Sequence, residues 1–255
     1  MIDLHSHILH GVDDGAASLE DSVDIARAAV ADGITAIAGT PHVRDDWPTE
    51  ASVIEERVAE LRAELAQRRI PLEVLPGAEI ALDWLPRLAE DDLRSFGLGG
   101  NPRYVLVETP YYGWPVALPD RLASLRAAGF TPVLAHPERN LEVQVRPERL
   151  LDLVDGGVLI QVTAASVDGR IGKRARECAR RLLEAGLVHM IASDAHHAAV
   201  REAGMRAAAQ AVGGGALARW LTYEVPAAVV TDTPVPPRPA ALRRRGGWLG
   251  KLFEV

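Results

Sequence analysis

The first residues of the chain combine two histidines with a nearby carboxylate. The apolar alternation of residues 2–7 predicts a strand, and residues two apart on a strand point to the same side. His5 and His7 therefore face one way together, and Asp14 follows in a glycine-flanked loop. Two imidazoles held on a rigid strand beside a carboxylate suit a divalent metal ion. Two ordinary histidines that form hydrogen bonds near a terminus are the alternative at this point.

Further imidazoles and carboxylates occur wherever an apolar run ends. The full set of candidate metal ligands is His5, His7, Asp14, His42, Glu79, Glu108, His136, Asp194 and His196. This mixture of imidazoles and carboxylates suits manganese, iron or zinc better than magnesium or calcium, which prefer oxygen ligands. Nine protein ligands are too many for one ion, so we expect two or three ions to share them.

The elements that must position these side chains alternate along the chain. Apolar runs predict strands at residues 2–7, 34–39, 72–79, 104–107, 131–135 and 187–193. Amphipathic segments predict helices at residues 18–32, 49–68, 119–128, 147–156, 171–185 and 201–212. Repeated strand–helix–strand units build a parallel sheet, and chemistry gathers at the carboxyl ends of its strands. About seven such units favour an irregular relative of the eightfold α/β barrel.

Length and composition limit the domain organisation. A chain of 255 residues can form one large α/β domain, which we place at residues 1–230. Residues 231–255 form a proline-rich and then basic C-terminal tail. The tail is either a solvated extension or a docking segment for an acidic or membrane-associated partner.

The overall charge and the cysteine count exclude several classes of protein. A net charge of −7 argues against a nucleic-acid or membrane-surface binder, which would need a basic field. The longest apolar runs are of strand length and lack a signal-peptide pattern, so we expect no membrane span and no secretion. The single cysteine, Cys178, cannot form an internal disulfide, and a reducing cytoplasm is the simplest location.

Taken together, the motifs of this chain resemble a known family. They are His5-x-His7, Asp14-Gly15, Thr40-Pro41-His42, Gly77-Ala78-Glu79, Glu108, Ala135-His136-Pro137-Glu138-Arg139 and Ser193-Asp194-Ala195-His196. Their order resembles the PHP superfamily, named for polymerase and histidinol phosphatase. Within it, the manganese-dependent bacterial protein-tyrosine phosphatases of the CpsB/CapC/YwqE group are the most similar. The resemblance covers about residues 1–225 and implies the PHP fold, a distorted seven-stranded TIM-like (β/α)7 barrel.

The resemblance also implies a role for each motif. His5, His7, Glu79 and Asp194 would hold one ion, Glu79, Glu108 and His136 a second, and Asp14, His42 and His196 a third. Manganese is the implied metal, with iron or zinc as the other possibilities. His42 is thereby part of the catalytic site. Arg139 and Arg201 match the places of two arginines that grip phosphate in the family, although a solvated helix-start arginine is the alternative for Arg201.

The function that follows from the resemblance is hydrolysis of phosphotyrosine by a metal-bound hydroxide. The substrate would be a membrane-associated tyrosine autokinase that controls capsule or exopolysaccharide synthesis. Two alternatives stay open: a small-molecule phosphatase such as histidinol phosphatase, and a non-catalytic PHP-like assembly module. Comparing hydrolysis of a phosphotyrosyl peptide and histidinol phosphate separates the first two, and elemental analysis for metal tests the third.

Several other residues have simpler explanations. Cys178 lies in a helix pattern and Glu184 stands where a cysteine phosphatase would need arginine, so we expect no thiolate nucleophile. His10, His189 and His197 have no place in the ligand set, and we expect structural or surface roles for them. The residues after Glu108 include the aromatic side chains Tyr111, Tyr112 and Trp114. They either form a wall for a tyrosine ring or pack the loop.

Overall fold

The computed structural model describes residues 1–198 and 204–239 and is built on short parallel strands. The strands are β1 (Ile2–Ser6), β2 (Ala36–Gly39), β3 (His42–Val43), β4 (Glu73–Pro76), β5 (Glu79–Ala81), β6 (Tyr104–Glu108), β7 (Thr131–Ala135), β8 (Leu159–Thr163) and β9 (Met190–Ala192). They are buried along nearly their whole length, as expected for a parallel sheet that is covered by helices.

The strands form two parallel sheets, with the orders β1-β2-β4 and β3-β5-β6-β7-β8-β9. Hydrogen bonds join the first strand to the segment after the last one. The amide of Asp194 donates to the carbonyl of His5, and the amide of His7 donates to the carbonyl of Ala195, both at 2.8 Å. The parallel α/β class predicted from the sequence is confirmed. The distorted seven-stranded barrel stays a prediction, which these links favour.

Two of the predicted strand units are each divided into two strands. The predicted strand at 72–79 is interrupted at Gly77 and Ala78, so that β4 pairs in one sheet and β5 in the other. The neighbouring unit is interrupted in the same way at Thr40 and Pro41, where proline supplies no amide hydrogen for a ladder. Glu79 donates its amide to the carbonyl of Pro41 at 3.0 Å. After the interruptions, β3 and β5 remain neighbours, as β2 and β4 are, but they pair in the second sheet.

Helices connect the strands in the predicted alternation. They are α1 (Leu19–Asp32), α2 (Ala51–Gln67), α3 (Glu90–Ser95), α4 (Leu118–Ala127), α5 (Leu141–Val145), α6 (Leu151–Asp155), α7 (Ala164–Asp168), α8 (Lys173–Glu184), α9 (Arg206–Ala211), α10 (Gly215–Arg219) and α11 (Val225–Val230). The predicted start of α1 is confirmed, because Ser18 and Asp21 form a capping box. Gly33 ends this helix with a φ of 91°.

The strand β8 was not identified separately in the sequence pattern. It follows directly on the turn at Gly156 and Gly157 and is only five residues long, so its apolar run merges with that of the preceding helix. This omission matters because Gln161, in the middle of β8, has a buried polar side chain that contacts the candidate site.

The first part of the predicted tail packs on the domain. The indole of Trp220 donates to the carbonyl of Pro236 at 2.9 Å, and Arg238 donates to the carbonyls of Val188 and Leu183. The basic run from Arg243 to Lys251 lies outside the described residues. In the part of the chain that the structure describes, no helix combines the length and apolar character needed to cross a membrane.

Candidate metal centre

The structure brings all nine predicted ligands together at the carboxyl ends of the strands. Seven of them are buried side chains, whereas Asp14 and His196 lie at the more open side. Within residues 1–198 and 204–239, four groups have ligand atoms within 4.8 Å of one another: His5, His7 and Asp194; His5, Glu79 and His136; His42, Glu79 and Glu108; and His7, Asp14, His42 and His196. Neighbouring groups share members, so the nine side chains form one continuous cluster.

Glu79 is the central carboxylate of the cluster. Its Oε2 atom lies 3.3 Å from His5 Nε2, 3.5 Å from His7 Nε2 and 3.1 Å from His42 Nδ1. Its Oε1 atom lies 2.8 Å from Nε2 of His136. A carboxylate with imidazoles on both oxygens has the arrangement needed to bridge two ions.

Two aspartates complete the cluster on either side. Asp194 Oδ1 lies 3.5 Å from His5 Nε2 and 3.4 Å from His7 Nε2. Asp14 Oδ1 lies 3.5 Å from Nε2 of both His42 and His196. These aspartates belong to different groups, so negative charge is spread across the whole cluster.

The donor atoms fit metal ions better than they fit one another. Among the described residues, no hydrogen-bond partner is found for the buried atoms His5 Nε2, His7 Nε2, His42 Nδ1 and Glu79 Oε2. Leaving buried polar atoms unpaired is costly unless another group satisfies them. Around an ion with ligands at about 2.1 Å, neighbouring donors are about 3.0–3.4 Å apart. The observed separations of 3.1–3.5 Å in this cluster are similar.

The geometric groups overlap with the ligand sets that the family resemblance implies, but their members are not identical. His5, His7 and Asp194 lie together, as do Asp14, His42 and His196. Glu108 is grouped with His42 and Glu79, whereas the resemblance places it with His136. Because Glu79 belongs to both of these groups, it connects Glu108 to His136.

Residues outside the predicted set fix the orientation of the imidazoles. The Nδ1 atom of His5 lies 3.0 Å from Gln161 Oε1, and that of His7 lies 2.6 Å from Asp13 Oδ2. Asp13 also accepts hydrogen bonds from the backbone amides of Gly15 and His42. Such partners hold the ring so that the opposite nitrogen points at the metal. Asp13 directly precedes the predicted ligand Asp14, and this position could have indicated its role from the sequence. No sequence feature indicated the role of Gln161.

The backbone is strained at two of the ligands. His136 has a φ of 31° and Asp194 a φ of 54°, in the left-handed region that non-glycine residues rarely occupy. Strain of this kind persists at sites where the surrounding structure enforces it. Gly15 has a related role, since a Cβ atom there would overlap the carbonyl oxygen and Cβ of His7. The glycine after Asp14 therefore allows the loop to approach the first strand.

At His5 and Glu79, neighbouring charges outweigh the effect of burial on the pKa. Burial by itself lowers the pKa of His5, but the carboxylates of Glu79 and Asp194 raise it to about 9. Burial also favours the neutral form of Glu79, yet His5 and His136 hold the pKa of this carboxyl well below its usual value. Glu108 has a raised pKa because of burial and the nearby charge of Glu79. The same negative field attracts metal cations.

Comparison with known proteins agrees with this geometry. Residues 1–229 match the protein family described as capsular polysaccharide synthesis, CpsB/CapC. The chain belongs to the CpsB/CapC family. The resemblance inferred from the motifs is thereby confirmed.

The chain is also similar to proteins that are named tyrosine-protein phosphatases. YwqE of Bacillus subtilis (strain 168) is 39% identical over 204 residues, which are 79% of this chain and 79% of YwqE. CpsB of Streptococcus agalactiae serotype III (strain NEM316) is 30% identical over 209 residues, covering 79% of this chain and 85% of CpsB. Both similarities extend over most of the two proteins.

A solved structure of this family has the same fold. It comes from work on YwqE from Bacillus subtilis and CpsB from Streptococcus pneumoniae, described as unique metal-dependent tyrosine phosphatases. The match has a TM-score of 0.84 and 35% sequence identity, and covers 94% of this chain and 99% of the other. The described metal dependence agrees with the ligand clusters found here.

Arg139, which the family resemblance predicts to bind phosphate, lies beside the candidate metal centre. Its guanidinium contacts Asp194 Oδ2 at 2.7 Å and donates to the hydroxyl of Tyr111 at 3.4 Å. Asp194 thus connects the arginine directly to the candidate metal centre. Arg201, the second predicted arginine, lies outside the described residues.

A second arginine at the edge of the cluster was not predicted. Arg44 NH1 lies 3.5 Å from Glu108 Oε2, and the same guanidinium lies 4.5 Å from the ring of Trp47. Trp47 in turn stacks on His42, with ring centroids 5.5 Å apart. Arg44 stands two residues after His42, and this position was the sequence signal for it. The signal was ambiguous, because Arg44 and the exposed Asp46 would equally be expected to form a surface ion pair.

The residues that the sequence predicted to have structural or surface roles lie apart from the candidate metal ligands or on the surface. His10 is close to Glu60, and His197 is exposed beside His196. Cys178 is buried, and burial raises the pKa of its thiol to about 12, which disfavours a thiolate nucleophile. Of the aromatic residues, Trp114 packs beneath Arg149, and Tyr112 is exposed.

Proposed function

We propose that this chain is a metal-dependent protein-tyrosine phosphatase. The observation that carries the proposal is the convergence of nine metal-ligand side chains beside Arg139. A non-catalytic assembly module has no physical need for so many buried, unpaired donor atoms. The names of YwqE and CpsB support phosphotyrosine as the substrate.

We assign the nine ligands to a cluster of three manganese ions, with iron or zinc as the other metals that suit this donor set. Shared among three ions, nine donors leave positions for water and for phosphate oxygens. When bound, the ions would supply a nucleophile from water at neutral pH and neutralise charge on the phosphoryl group. Glu79 would help to hold more than one ion in this assignment, because imidazoles lie against both of its oxygens.

The protein side chains hold the phosphoryl group in place. Arg139 is anchored by Asp194 and presents further N–H donors, and a guanidinium binds phosphate oxygens with two parallel hydrogen bonds. The side chain of Arg139 is only 20% exposed, and partial shielding from water strengthens its charged interactions. The leaving phenol has a pKa of about 10, so it departs more readily than an aliphatic alcohol. No covalent intermediate on the protein is required, in agreement with the inert Cys178.

The membership of the CpsB/CapC family supports a role in capsule or exopolysaccharide synthesis. The substrate we propose is a membrane-associated tyrosine autokinase whose phosphotyrosines reach the site from the membrane surface. The chain would act from the cytoplasm, where its one cysteine stays reduced.

The test compares two substrates before and after chelation. The protein loaded with manganese should hydrolyse a phosphotyrosyl peptide with a higher kcat/KM than histidinol phosphate. Chelation should remove the activity and lower the melting temperature, since a ligand that binds only the folded state stabilises it. Added manganese should restore both. Faster turnover of histidinol phosphate would contradict the assigned substrate, and activity that survives chelation would contradict the metal mechanism.

Arg139→Ala tests the phosphate-binding role. We expect a higher KM and a lower kcat for the phosphotyrosyl peptide, with metal content unchanged by elemental analysis. The exposed Arg146→Ala, a few residues away, is the matched control and should behave like the wild type. Loss of metal from Arg139→Ala would show that the arginine supports the metal centre through Asp194 instead.

A further inference from the structure

A cleft opens directly beside the candidate metal centre. It has a volume of about 460 Å³, and its lining residues include Glu108, Tyr111 and Arg44. Leu82 and Pro115 add apolar surface. Clefts that bind small ligands have volumes of roughly 300–1,000 Å³ and combine apolar walls with a few polar groups. The cleft is therefore large enough for a tyrosine side chain and part of its peptide.

Tyr111 connects this cleft to the metal centre. Its ring stacks on that of the ligand His136, with centroids 5.9 Å apart and an angle of 20° between the planes. Its hydroxyl accepts a hydrogen bond from Arg139. The side chain nevertheless remains 42% exposed, so it still offers surface to a ligand in the cleft. Tyr111 thus lies between the group that grips phosphate and the space where the rest of the substrate must fit.

The loop that carries Tyr111 is held in place by the segment that carries Arg139. The side-chain amide of Asn140 donates to the carbonyls of Pro110 and Gly113, both at 2.7 Å. The amide of Leu141 donates to the carbonyl of Tyr111 at 3.0 Å. The spacing between the ring of Tyr111 and the guanidinium of Arg139 is therefore fixed by several bonds, as a pre-organised binding site requires.

We propose that Tyr111 is a specificity-determining residue that packs against the aromatic ring of the substrate and so selects aryl phosphates over phosphate esters without a ring. The inference rests on the proposed phosphatase function and adds the residue that contacts the side chain of the substrate. Offset or edge-on packing of two aromatic rings stabilises a complex beyond the area that it buries.

The test measures ring-dependent and ring-free binding separately. Tyr111→Ala and Tyr111→Leu should each raise the KM for a phosphotyrosyl peptide about two- to tenfold, the range expected for one aromatic pair. Both variants should leave the inhibition constant of inorganic phosphate, which has no ring, unchanged. Tyr111→Phe keeps the ring and should retain the wild-type KM. Tyr112→Ala, from the same loop but largely exposed, is the matched control.

Each other outcome overturns the inference in a distinguishable way. An unchanged KM in Tyr111→Ala and Tyr111→Leu would show that the substrate ring does not contact Tyr111. Equal increases in KM and in the phosphate inhibition constant would show that Tyr111 acts through Arg139 alone. Absence of peptide turnover in the manganese-loaded wild type would overturn the proposed function itself, and this inference with it.

Discussion

Two histidines of this chain show how neighbouring charges define the site. His5 is fully buried, whereas His189, which directly precedes β9, is only partly buried. Burial alone would give His5 the lower pKa, but the order is reversed. Glu79 and Asp194 raise the pKa of His5 to about 9 against the effect of burial, while burial and Arg238 lower that of His189 to about 4. The carboxylates around an imidazole, more than its burial, therefore distinguish a candidate ligand.

The two imidazole rings also differ in their hydrogen bonds. His189 uses Nδ1 to accept a hydrogen bond from the amide of Ile160 at 3.1 Å, which ties β8 to the start of β9. His5 has its Nδ1 held by Gln161, and within the described residues its Nε2 has no hydrogen-bond partner. One ring completes the backbone pairing of the fold, and the other is oriented toward a ligand. Variants at either site test whether this division of roles is correct.

The largest effect is expected for a ligand histidine. His136→Ala removes a donor from the cluster, and we expect it to lower kcat by more than about a hundredfold, since even changes to outer partners of metal ligands cost 10–100-fold. Steady-state kinetics with manganese measures the loss, and circular dichroism checks that the fold is kept. His189→Gln is the control, with wild-type kcat per folded molecule. Unchanged turnover in His136→Ala would remove it from the ligand set.

The next effect concerns stability and pH. The pKa of His189 is lower in the folded state than its ordinary value of 6.5, so the unfolded chain takes up the proton first as the pH falls. This group therefore contributes stability above pH 6.5 and loses it between pH 6.5 and about 4, by up to about 3 kcal/mol. Urea unfolding of wild type and His189→Gln across this range measures it. The free energy of unfolding of wild type, measured relative to that of His189→Gln, should fall as the pH is lowered toward 4. A relative free energy that stays constant with pH would contradict the argument.

A smaller effect is expected for the partner of a ligand. Asp13→Asn replaces the carboxylate that holds His7, and we expect metal affinity to fall about tenfold, with kcat restored at high manganese. Metal titration followed by activity gives the affinity. Asp24→Asn, an exposed aspartate paired with Arg27 on α1, is the matched control. Equal affinity in Asp13→Asn and wild type would show that His7 needs no such support.

The smallest effect is expected for the cysteine. Cys178 is buried with a raised pKa, so Cys178→Ala should keep kcat/KM, and iodoacetamide should not inactivate the native protein. Kinetic assays before and after alkylation check this. Inactivation by the reagent that is absent in Cys178→Ala would assign the thiol a part in the reaction.

Most of the candidate ligands could be found from sequence because they stand at the ends of apolar runs. His136 and Asp194 come directly after β7 and soon after β9, and parallel strands bring such positions to one edge of the sheet. The groups that support them were harder to find. Gln161 lies inside a strand that was not recognised, and its contact with His5 joins residues 156 positions apart. Nothing in the local pattern around Gln161 distinguishes it from any other polar residue in a strand.

The order of residue types along the chain determined the parallel α/β class, the placing of candidate metal ligands at strand ends and the family, because periodicity and motif spacing are local properties. Only the tertiary structure decided that Glu79 contacts imidazoles with both oxygens, that Asp13 and Gln161 orient two of the rings, and that Tyr111 covers His136. These contacts depend on where separate loops end in space, and on backbone conformations such as that of His136 which local preference disfavours. Long-range packing sets them, so they become visible only when the strands are assembled.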